Sequence, residues 1–351
     1  MRVVVPRRPQ GEPTVSVVVP CYRYGSFLPQ VVASTLAQPG VQVEVIIVDD
    51  ASPDDSALVA QALAAADPRV TVVQHEVNRG HIRTYNDGIA AATGDYLVLL
   101  SADDLLAPGA LARATALMEH DPSVTFVYGY SPDFSDEPPA PRRSLYSWSV
   151  WSGDDWVRRL CVRGSNVVSN PEVVMRRSVM VELGEYDPRF PHTADLLLWL
   201  RAAARGSVGR VNGPDQGYYR VHGNNMHLTE FSSVHTDLVE RARTFDALLE
   251  EDLAEHPRRA RLRALAHRAL AVDAVRWATW TLDNTTDEAG ARAFGETAPT
   301  LWPAITSTRL WAAYERRLRA EGPRRFDRTR FGLDWEVRHK LRWRRWRRLG
   351  T

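Results

Sequence analysis

Two adjacent carboxylates, Asp103 and Asp104, stand near the end of the apolar stretch YLVLLSADDLL, residues 96–106. An apolar run of this length predicts a strand that is buried on both faces, with the two carboxylates at its carboxyl end. Open α/β sheets bind ligands at that end. Because adjacent carboxylates repel each other, the pair favours a hard divalent cation such as Mg²⁺ or Mn²⁺, shared with phosphate oxygens. The alternative is a solvated turn that caps a helix beginning near Pro108.

Two more apolar runs end in polar residues in the same way. VSVVVP at residues 15–20 leads into Cys21 and Tyr22, and VEVIIV at residues 43–48 leads into Asp49 and Asp50. Between and after these runs lie helical patterns and one short strand pattern, at residues 27–36, 56–66, 70–73 and 83–92. Because strand and helix alternate, we expect an α/β fold with a doubly wound, mostly parallel sheet and flanking helices.

Five segments together resemble a known family. They are VSVVVPCYRYGSFL, VEVIIVDDASPDDS, NRGHIRTYNDGIAAATGDYLVLLSADDLLAPGAL, GEYDPRFPHTADLLLWLRAAARG and YYRVHGNNMH. In this order they resemble the family 2 glycosyltransferases with the GT-A fold, over about Thr14 to Leu228. The resemblance implies inverting transfer of a sugar from a nucleotide diphosphate sugar to an acceptor hydroxyl. We expect an N-terminal tail at 1–13, a GT-A catalytic domain at 14–230 and a helical C-terminal region at 231–351.

The resemblance also assigns donor-binding residues. It implies that Pro20, Tyr22, Asp50, Arg83 and Asp103 bind the nucleotide sugar. Tyr22 would stack on the base. Asp50 would accept the N3 proton of uracil or thymine, which favours a UDP- or dTDP-linked sugar because a carboxylate is an acceptor only. A core aromatic at position 22 and a surface salt bridge at position 83 are the alternatives.

The metal motif departs from the family pattern. Many members have Asp-x-Asp-Asp here, but Ser101 stands where the first Asp would be. The resemblance implies that Asp103, Asp104 and His222 hold Mn²⁺ or Mg²⁺, which would stabilise the charge of the leaving diphosphate. A structural role for His222 is the alternative. The missing carboxylate bears on the affinity for the metal and not on its identity.

The resemblance places the catalytic base at Asp195, at the start of the apolar helical pattern of residues 196–204. The helix dipole is expected to keep it ionised, and an Asp that only stabilises the helix N-terminus is the alternative. For the acceptor, a saccharide, lipid-linked or natural-product hydroxyl compound, Trp148 and Trp151 in the aromatic segment 144–156 are candidates for stacking, and burial in the core is the alternative. Residues 131–143 are expected to form a loop.

The remaining composition fits an enzyme without nucleic-acid partners. The 351 residues carry a formal net charge of +1 and two cysteines, and residues 1–13 lack a signal-peptide core, so we expect a cytoplasmic enzyme. The Arg- and Trp-rich segment 335–349 is a candidate for peripheral contact with the anionic inner face of a membrane. A solvated tail, or one that faces a second copy in a homo-oligomer, is the alternative.

Two other functions are consistent with parts of the pattern. A non-catalytic sugar-nucleotide-binding or scaffold protein would explain Ser101 and Ala194, which stand where the family usually has acidic residues. A nucleotidyltransferase shares the alternating fold, but it would carry a Gly-rich basic loop after the first strand. Residues 20–27 offer only Arg23 and Gly25 for such a loop.

Overall fold

The computed structural model describes residues 1–7, 11–223, 225, 233–319, 341, 346 and 350. They form two compact units, of which the first comprises residues 1–156 and 168–225 and the second residues 157–167 and 226–351. The segment 157–167, expected in the catalytic domain, thus belongs to the second unit.

The strands are β1 Arg2–Val4, β2 Thr14–Cys21, β3 Gln42–Asp49, β4 Val70–Gln74, β5 Tyr96–Leu99, β6 Leu105–Leu106, β7 Val124–Tyr128, β8 Asp133–Phe134, β9 Ser147–Trp151, β10 Val174–Arg176, β11 Ser207–Asn212 and β12 Gly217–Arg220. The α-helices are α1 Leu28–Leu36, α2 Ser56–Ala66, α3 His81–Ala91, α4 Ala110–His120, α5 Gly153–Arg163, α6 Arg177–Leu183, α7 Ala194–Arg205, α8 Val234–Ala247, α9 Arg259–Asn284, α10 Glu288–Leu301 and α11 Arg309–Arg319.

Within the described part of the chain, the first unit is built on a nine-stranded sheet of order β1-β9-β11-β7-β10-β5-β2-β3-β4. Strand β2 pairs in parallel with both β3 and β5, and β3 pairs in parallel with β4. Strands β10 and β9 are antiparallel to their neighbours. The mostly parallel sheet with flanking helices predicted from the sequence is therefore confirmed. The expected tail contains β1, which pairs with β9.

Helices cover both faces of the central strands because successive side chains of a strand point to opposite faces. Val17 and Val19 belong to the buried cluster that includes Leu28 of α1. Val18 points to the other face, where a Cβ placed on Gly88 of α3 would lie 2.3 Å from its Cγ1 atom. The absence of a side chain at position 88 therefore allows α3 to pack closely on the sheet.

The predicted elements of the first half lie close to their expected positions. Two changes stand out: β5 ends at Leu99, before the acidic pair, and α3 begins at His81 instead of residue 83. The loop expected at 131–143 contains the two-residue strand β8. The second unit is helical in its described part, and no helix found there or in the first unit is long and apolar enough to cross a membrane. The basic segment 335–349 lies outside the described residues except at positions 341 and 346.

Candidate active site

The loops after β2 and β3 meet at the carboxyl edge of the sheet. Arg23 and Ala51, one in each loop, have positive φ angles of 65° and 54° although neither is glycine. The backbone N–H of Arg23 donates to Oγ of Ser52 at 3.0 Å, which joins the two loops. Strained backbone of this kind concentrates at functional sites. Tyr22 lies in the first loop with 42% of its surface exposed, as a base-stacking residue requires, and Pro20 lies at the end of β2.

The Asp50 carboxylate is buried and held by three hydrogen bonds. Oδ1 contacts Nδ1 of His75 at 2.8 Å and accepts from the backbone N of Arg79 at 2.7 Å, while Oδ2 accepts from the backbone N of Gly80 at 2.9 Å. Burial alone would raise the pKa of Asp50, but these hydrogen bonds outweigh it and hold the pKa below its usual value. Asp50 is therefore an ionised acceptor that is fixed against the amino end of α3.

The neighbouring Asp49 and Cys21 are buried, as is typical of residues with a structural role. Asp49 is fully buried, and its Oδ2 atom accepts from the backbone N of Ser52 at 3.2 Å. Its Oδ1 atom has no hydrogen-bond partner among the described residues. Burial raises the pKa of the Cys21 thiol to about 11, so the thiol stays protonated at neutral pH and is a poor nucleophile.

A small three-stranded sheet, β6-β12-β8, brings distant residues to the acidic pair. Asp103 and Asp104 directly precede β6, and β12 ends at Arg220. The backbone N of Arg220 donates to Oδ1 of Asp104 at 2.8 Å, and its Nε atom donates to the carbonyl O of Asp103 at 2.8 Å. The guanidinium also packs on the ring of Phe27 at 4.8 Å and is buried, so it supports the acidic pair from within the protein.

The two carboxylates of the pair differ in their contacts. Oδ2 of Asp103 lies 2.9 Å from Nε2 of His222 and 3.3 Å from Nδ2 of Asn225. Oδ2 of Asp104 is buried, and no described residue forms a hydrogen bond with it. Burial and the charge of Asp103 raise the pKa of Asp104 well above its usual value. A cation would relieve both effects, because it supplies the missing partner and offsets the repulsion.

The acidic pair fits a cation that is shared with phosphate oxygens better than one enclosed by protein. Within the described ranges, no group of three or more His, Cys, Asp and Glu side chains is placed to hold an ion. The predicted ligands Asp103, Asp104 and His222 thus do not form a preformed cage, because His222 pairs with Asp103 instead. Mg²⁺ and similar ions are commonly bound through one or two carboxylates together with substrate phosphates. The unpartnered Oδ2 of Asp104 agrees with that arrangement.

Asp195 lies in the first turn of α7 and remains partly exposed. Burial of its carboxylate raises its pKa to about 6, although the nearby side chains of Asn170 and Tyr186 act in the opposite direction. Desolvation is the largest of these effects, and a pKa of about 6 is compatible with the expectation that Asp195 is ionised at neutral pH. A carboxylate with a pKa near 6 is still largely ionised at pH 7 and is a stronger base than an ordinary Asp.

Helix α3 connects the surroundings of Asp195 to those of Asp50. Asn86 of α3 exchanges two hydrogen bonds with the backbone of Tyr186, at 2.8 and 3.0 Å. Nε2 of His81, at the start of α3, lies 3.3 Å from the carbonyl O of Pro191. The segment before Asp195 is therefore packed on the helix whose amino end is held by Asp50.

Two tryptophans predicted to bind the acceptor are core residues. Trp148 and Trp151 lie on β9 between β1 and β11, and both are fully buried. Trp148 belongs to the main buried cluster, and Trp151 stacks on Tyr128 with ring centroids 6.2 Å apart. The prediction that they contact the acceptor is wrong for this structure, because two indoles in the core of the sheet present no surface to a ligand.

Arg83 has the surface environment that was considered as its alternative. It lies on α3 with its Nε atom 3.2 Å from Asp87 and its Nη1 atom 3.7 Å from Glu185. Nearly half of its side chain is exposed. These contacts are compatible with a surface salt bridge, and a role in donor binding stays a prediction.

Four residues of the site were not singled out from the sequence. His75, Asn225, Asn170 and Tyr186 each contact or face one of the site carboxylates. His75 directly follows β4, and this position at the carboxyl end of a strand could have identified it as a candidate site residue. Asn170 begins the short 3₁₀ helix Asn170–Glu172, and Tyr186 and Asn225 lie in loops; the sequence pattern assigned no role to any of the three.

Known proteins resemble this chain in sequence and in fold. Residues 16–180 match the family model described as Glycosyl transferase family 2. The chain is 27% identical to an uncharacterized glycosyltransferase of Nostoc sp. over 229 residues, which covers 62% of this chain and 68% of that protein. It is 26% identical to an uncharacterized protein of Mycobacterium tuberculosis over 265 residues, which covers 70% of this chain and 78% of that protein.

Two solved structures share the fold at low sequence identity. S. aureus TarS 1-349 in complex with UDP-GlcNAc has a TM-score of 0.62 and 15% identity, covering 87% of this chain and 88% of that chain. The mannosyltransferase PcManGT from Pyrobaculum calidifontis, in complex with GDP-Man and Mn²⁺, has a TM-score of 0.53 and 21% identity, covering 90% and 88%. The two solved structures show that this chain shares their fold; from the family match and the glycosyltransferase relatives, we conclude that the chain is a glycosyltransferase whose residues 16–180 form a glycosyltransferase family 2 domain.

Proposed function

We propose that this protein transfers a sugar, with inversion, from a UDP- or dTDP-linked donor to an acceptor hydroxyl. The observation that carries the proposal is the environment of the acidic pair. Asp103 and Asp104 lie at the carboxyl end of β5 against Arg220 and His222, and one buried oxygen of Asp104 has no partner in the described part of the protein. A site of this kind suits a diphosphate with its cation.

The residues of the two neighbouring loops would hold the nucleoside. The exposed ring of Tyr22 offers a face on which a base can stack. Asp50 is an ionised acceptor, which favours bases with an N–H at the facing edge, as uracil and thymine have at N3. This preference is the basis for proposing UDP or dTDP, although PcManGT was solved with GDP-Man.

Asp103 and Asp104 would hold a divalent cation, Mn²⁺ or Mg²⁺, as the Mn²⁺ in the PcManGT complex suggests. The cation supplies positive charge against the leaving diphosphate. His222 would orient Asp103 through the 2.9 Å contact between Nε2 and Oδ2, and its imidazole would be a further candidate ligand for the ion. Arg220 would hold Asp104 through its backbone N–H.

Asp195 would act as the general base. In an inverting displacement the acceptor oxygen forms a bond to the anomeric carbon while the bond from that carbon to the phosphate oxygen breaks. The acceptor proton passes to the Asp195 carboxylate. A pKa near 6 suits this role because the group is ionised at neutral pH and still holds a proton better than an ordinary Asp. Asn170 and Tyr186 would keep the carboxylate oriented.

The test combines binding with turnover. Thermal shifts would be measured with UDP, dTDP and GDP, each with and without Mn²⁺, and donor hydrolysis would be followed with a panel of UDP- and dTDP-sugars. We expect UDP or dTDP with Mn²⁺ to stabilise the protein more than GDP does. Asp195→Asn should keep this stabilisation and lose hydrolysis.

Asp67→Asn is the matched control, because Asp67 forms a surface ion pair with Arg69 at the amino end of β4, the opposite edge of the sheet. Asp67→Asn should show the same thermal shifts and the same donor hydrolysis as the wild type. Stabilisation by GDP alone would overturn the proposed donor class. Full hydrolysis by Asp195→Asn would overturn the proposed base.

A further inference from the structure

His75 lies between two carboxylates behind the proposed base-binding residue. Its Nδ1 atom is 2.8 Å from Oδ1 of Asp50. Its Nε2 atom is 3.1 Å from Oδ2 of Asp87, but without the alignment of a hydrogen bond. Only 5% of the His75 side chain is exposed, so solvent does not compete strongly for these contacts.

The contact with Asp50 fixes which atom donates. An ionised carboxylate can only accept, so Nδ1 of His75 must carry the proton that it shares with Asp50. Together with the backbone N–H groups of Arg79 and Gly80, His75 occupies three acceptor positions of a carboxylate that has about four. One acceptor position therefore remains, and the three donors hold it in a fixed direction.

The Nε2 side of the imidazole faces Asp87, which already forms ion pairs with arginines. Asp87 also contacts Nη1 of Arg79 at 2.7 Å and Nε of Arg83 at 3.2 Å. The charge of Asp87 is thus already compensated by two arginines, Arg79 just before α3 and Arg83 in its first turn. The Nδ1 side of His75 is directed at Asp50, whereas the Nε2 side faces the ion pairs of Asp87 without a hydrogen bond to them.

We propose that His75 is a specificity-determining positioning residue, which acts through Asp50 to direct its remaining lone pair at the N–H group of the donor's base. The inference rests on the proposed function, since it requires Asp50 to face that base. His75 itself does not touch the donor. Without its Nδ1–H, Asp50 keeps only the two backbone donors and can rotate away from the base.

The test uses two amide substitutions that mimic different ring nitrogens. The amide nitrogen of Asn lies near the Nδ1 position, so His75→Asn should keep the hydrogen bond to Asp50 and a donor KM within about threefold of wild type. The amide nitrogen of Gln lies near the Nε2 position, so His75→Gln should raise the KM for the UDP- or dTDP-sugar by about tenfold. The kcat should change little in both. His75→Leu, which fills a similar volume, should match His75→Gln and replaces it if that variant does not fold.

A second arm separates positioning from packing. In an Asp50→Asn background, His75→Gln or His75→Leu should cause no further loss of donor affinity, because His75 acts only through the carboxylate. Asp87→Asn should leave the donor KM within about threefold of wild type, since the hydrogen bond between Nδ1 and Asp50 remains.

Three results would overturn the inference. They are equal KM values for His75→Asn and His75→Gln, an unchanged KM in His75→Leu, and additive losses with Asp50→Asn. The failure of the proposed donor class looks different, because the wild-type protein itself would then show no stabilisation by UDP or dTDP.

Discussion

The Nε2 atom of His222 lies 2.9 Å from Oδ2 of Asp103, across 119 positions of sequence. The same carboxylate oxygen is also within 3.3 Å of Nδ2 of Asn225, so the turn after β12 closes over one member of the acidic pair. Through this contact His222 orients the Asp103 carboxylate, which is a role separate from metal ligation. Groups that hold a ligand in place typically affect metal affinity strongly.

Replacing His222 should therefore weaken the affinity of the protein for Mn²⁺. We expect His222→Ala to raise the Mn²⁺ concentration for half-maximal donor hydrolysis by about 10- to 100-fold. A titration of activity with Mn²⁺ at saturating donor measures this change. His267→Ala is the control, because His267 pairs with Asp246 on the helices of the second unit. An unchanged Mn²⁺ titration in His222→Ala would contradict the assignment.

The pH profile of the wild type should follow Asp195. Because burial raises its pKa to about 6, the base is ionised above that value and protonated below it. The kcat/KM for the acceptor should rise with pH through this region and level off near neutrality. Initial rates between pH 5 and 8 at constant ionic strength measure the profile. In Asp195→Asn the rate should fall by about 10²- to 10⁴-fold, and a residual inflection near pH 6 would point to a different group.

The same raised pKa predicts that Asp195→Asn stabilises the fold. The folded-state pKa exceeds the unfolded value, so ionisation destabilises the folded state increasingly between pH 4 and 6 and by a constant amount above pH 6. Removing the charge should raise Tm by about 2–4 °C at pH 8 and leave it unchanged near pH 4. Scanning calorimetry at both pH values tests the sign. A Tm gain that is equal at both would rule out ionisation as the cause.

The close approach of α3 to the sheet predicts a strong effect at position 88. A Cβ at Gly88 would lie 2.3 Å from Cγ1 of Val18 and 2.9 Å from Cγ2 of Val48. Gly88→Ala should therefore lower the free energy of unfolding by about 1–3 kcal/mol, which urea denaturation measures. Gly223→Ala is the control, since no described atom lies within 4 Å of the added methyl. Equal midpoints for the two variants would show that α3 can shift without cost.

The buried position of Trp148 predicts an effect on stability instead of on acceptor binding. Trp148→Ala should cost about 3–5 kcal/mol of unfolding free energy because it leaves a large cavity in the core. Tyr146→Ala, two residues earlier, should change it by less than about 0.5 kcal/mol, since that ring is 75% exposed. Urea denaturation compares the two. A mild effect of Trp148→Ala on stability, with a large one on the acceptor KM, would restore the prediction from the sequence.

The sequence predicted the strands well where long apolar runs mark them, as in β2, β3 and the run that ends at Asp103. It did not reveal that β10 inserts antiparallel between β5 and β7, because three residues of strand carry too little pattern. It also could not separate a stacking indole from a core indole at Trp148, since both use the same residue type. The position of His75 beside Asp50 depends on how strands align at one edge, which is a tertiary property.

The small sheet of β6, β12 and β8 has a consequence for biosynthesis. Asp104 leaves the ribosome 116 residues before Arg220, the residue whose backbone caps it. A nascent or truncated chain that stops ahead of β12 would carry both acidic side chains without the arginine, the histidine and the asparagine that surround them. Such a chain would expose two mutually repelling carboxylates. The capacity to bind a donor should therefore appear only after β12 and the residues that follow it have been synthesised.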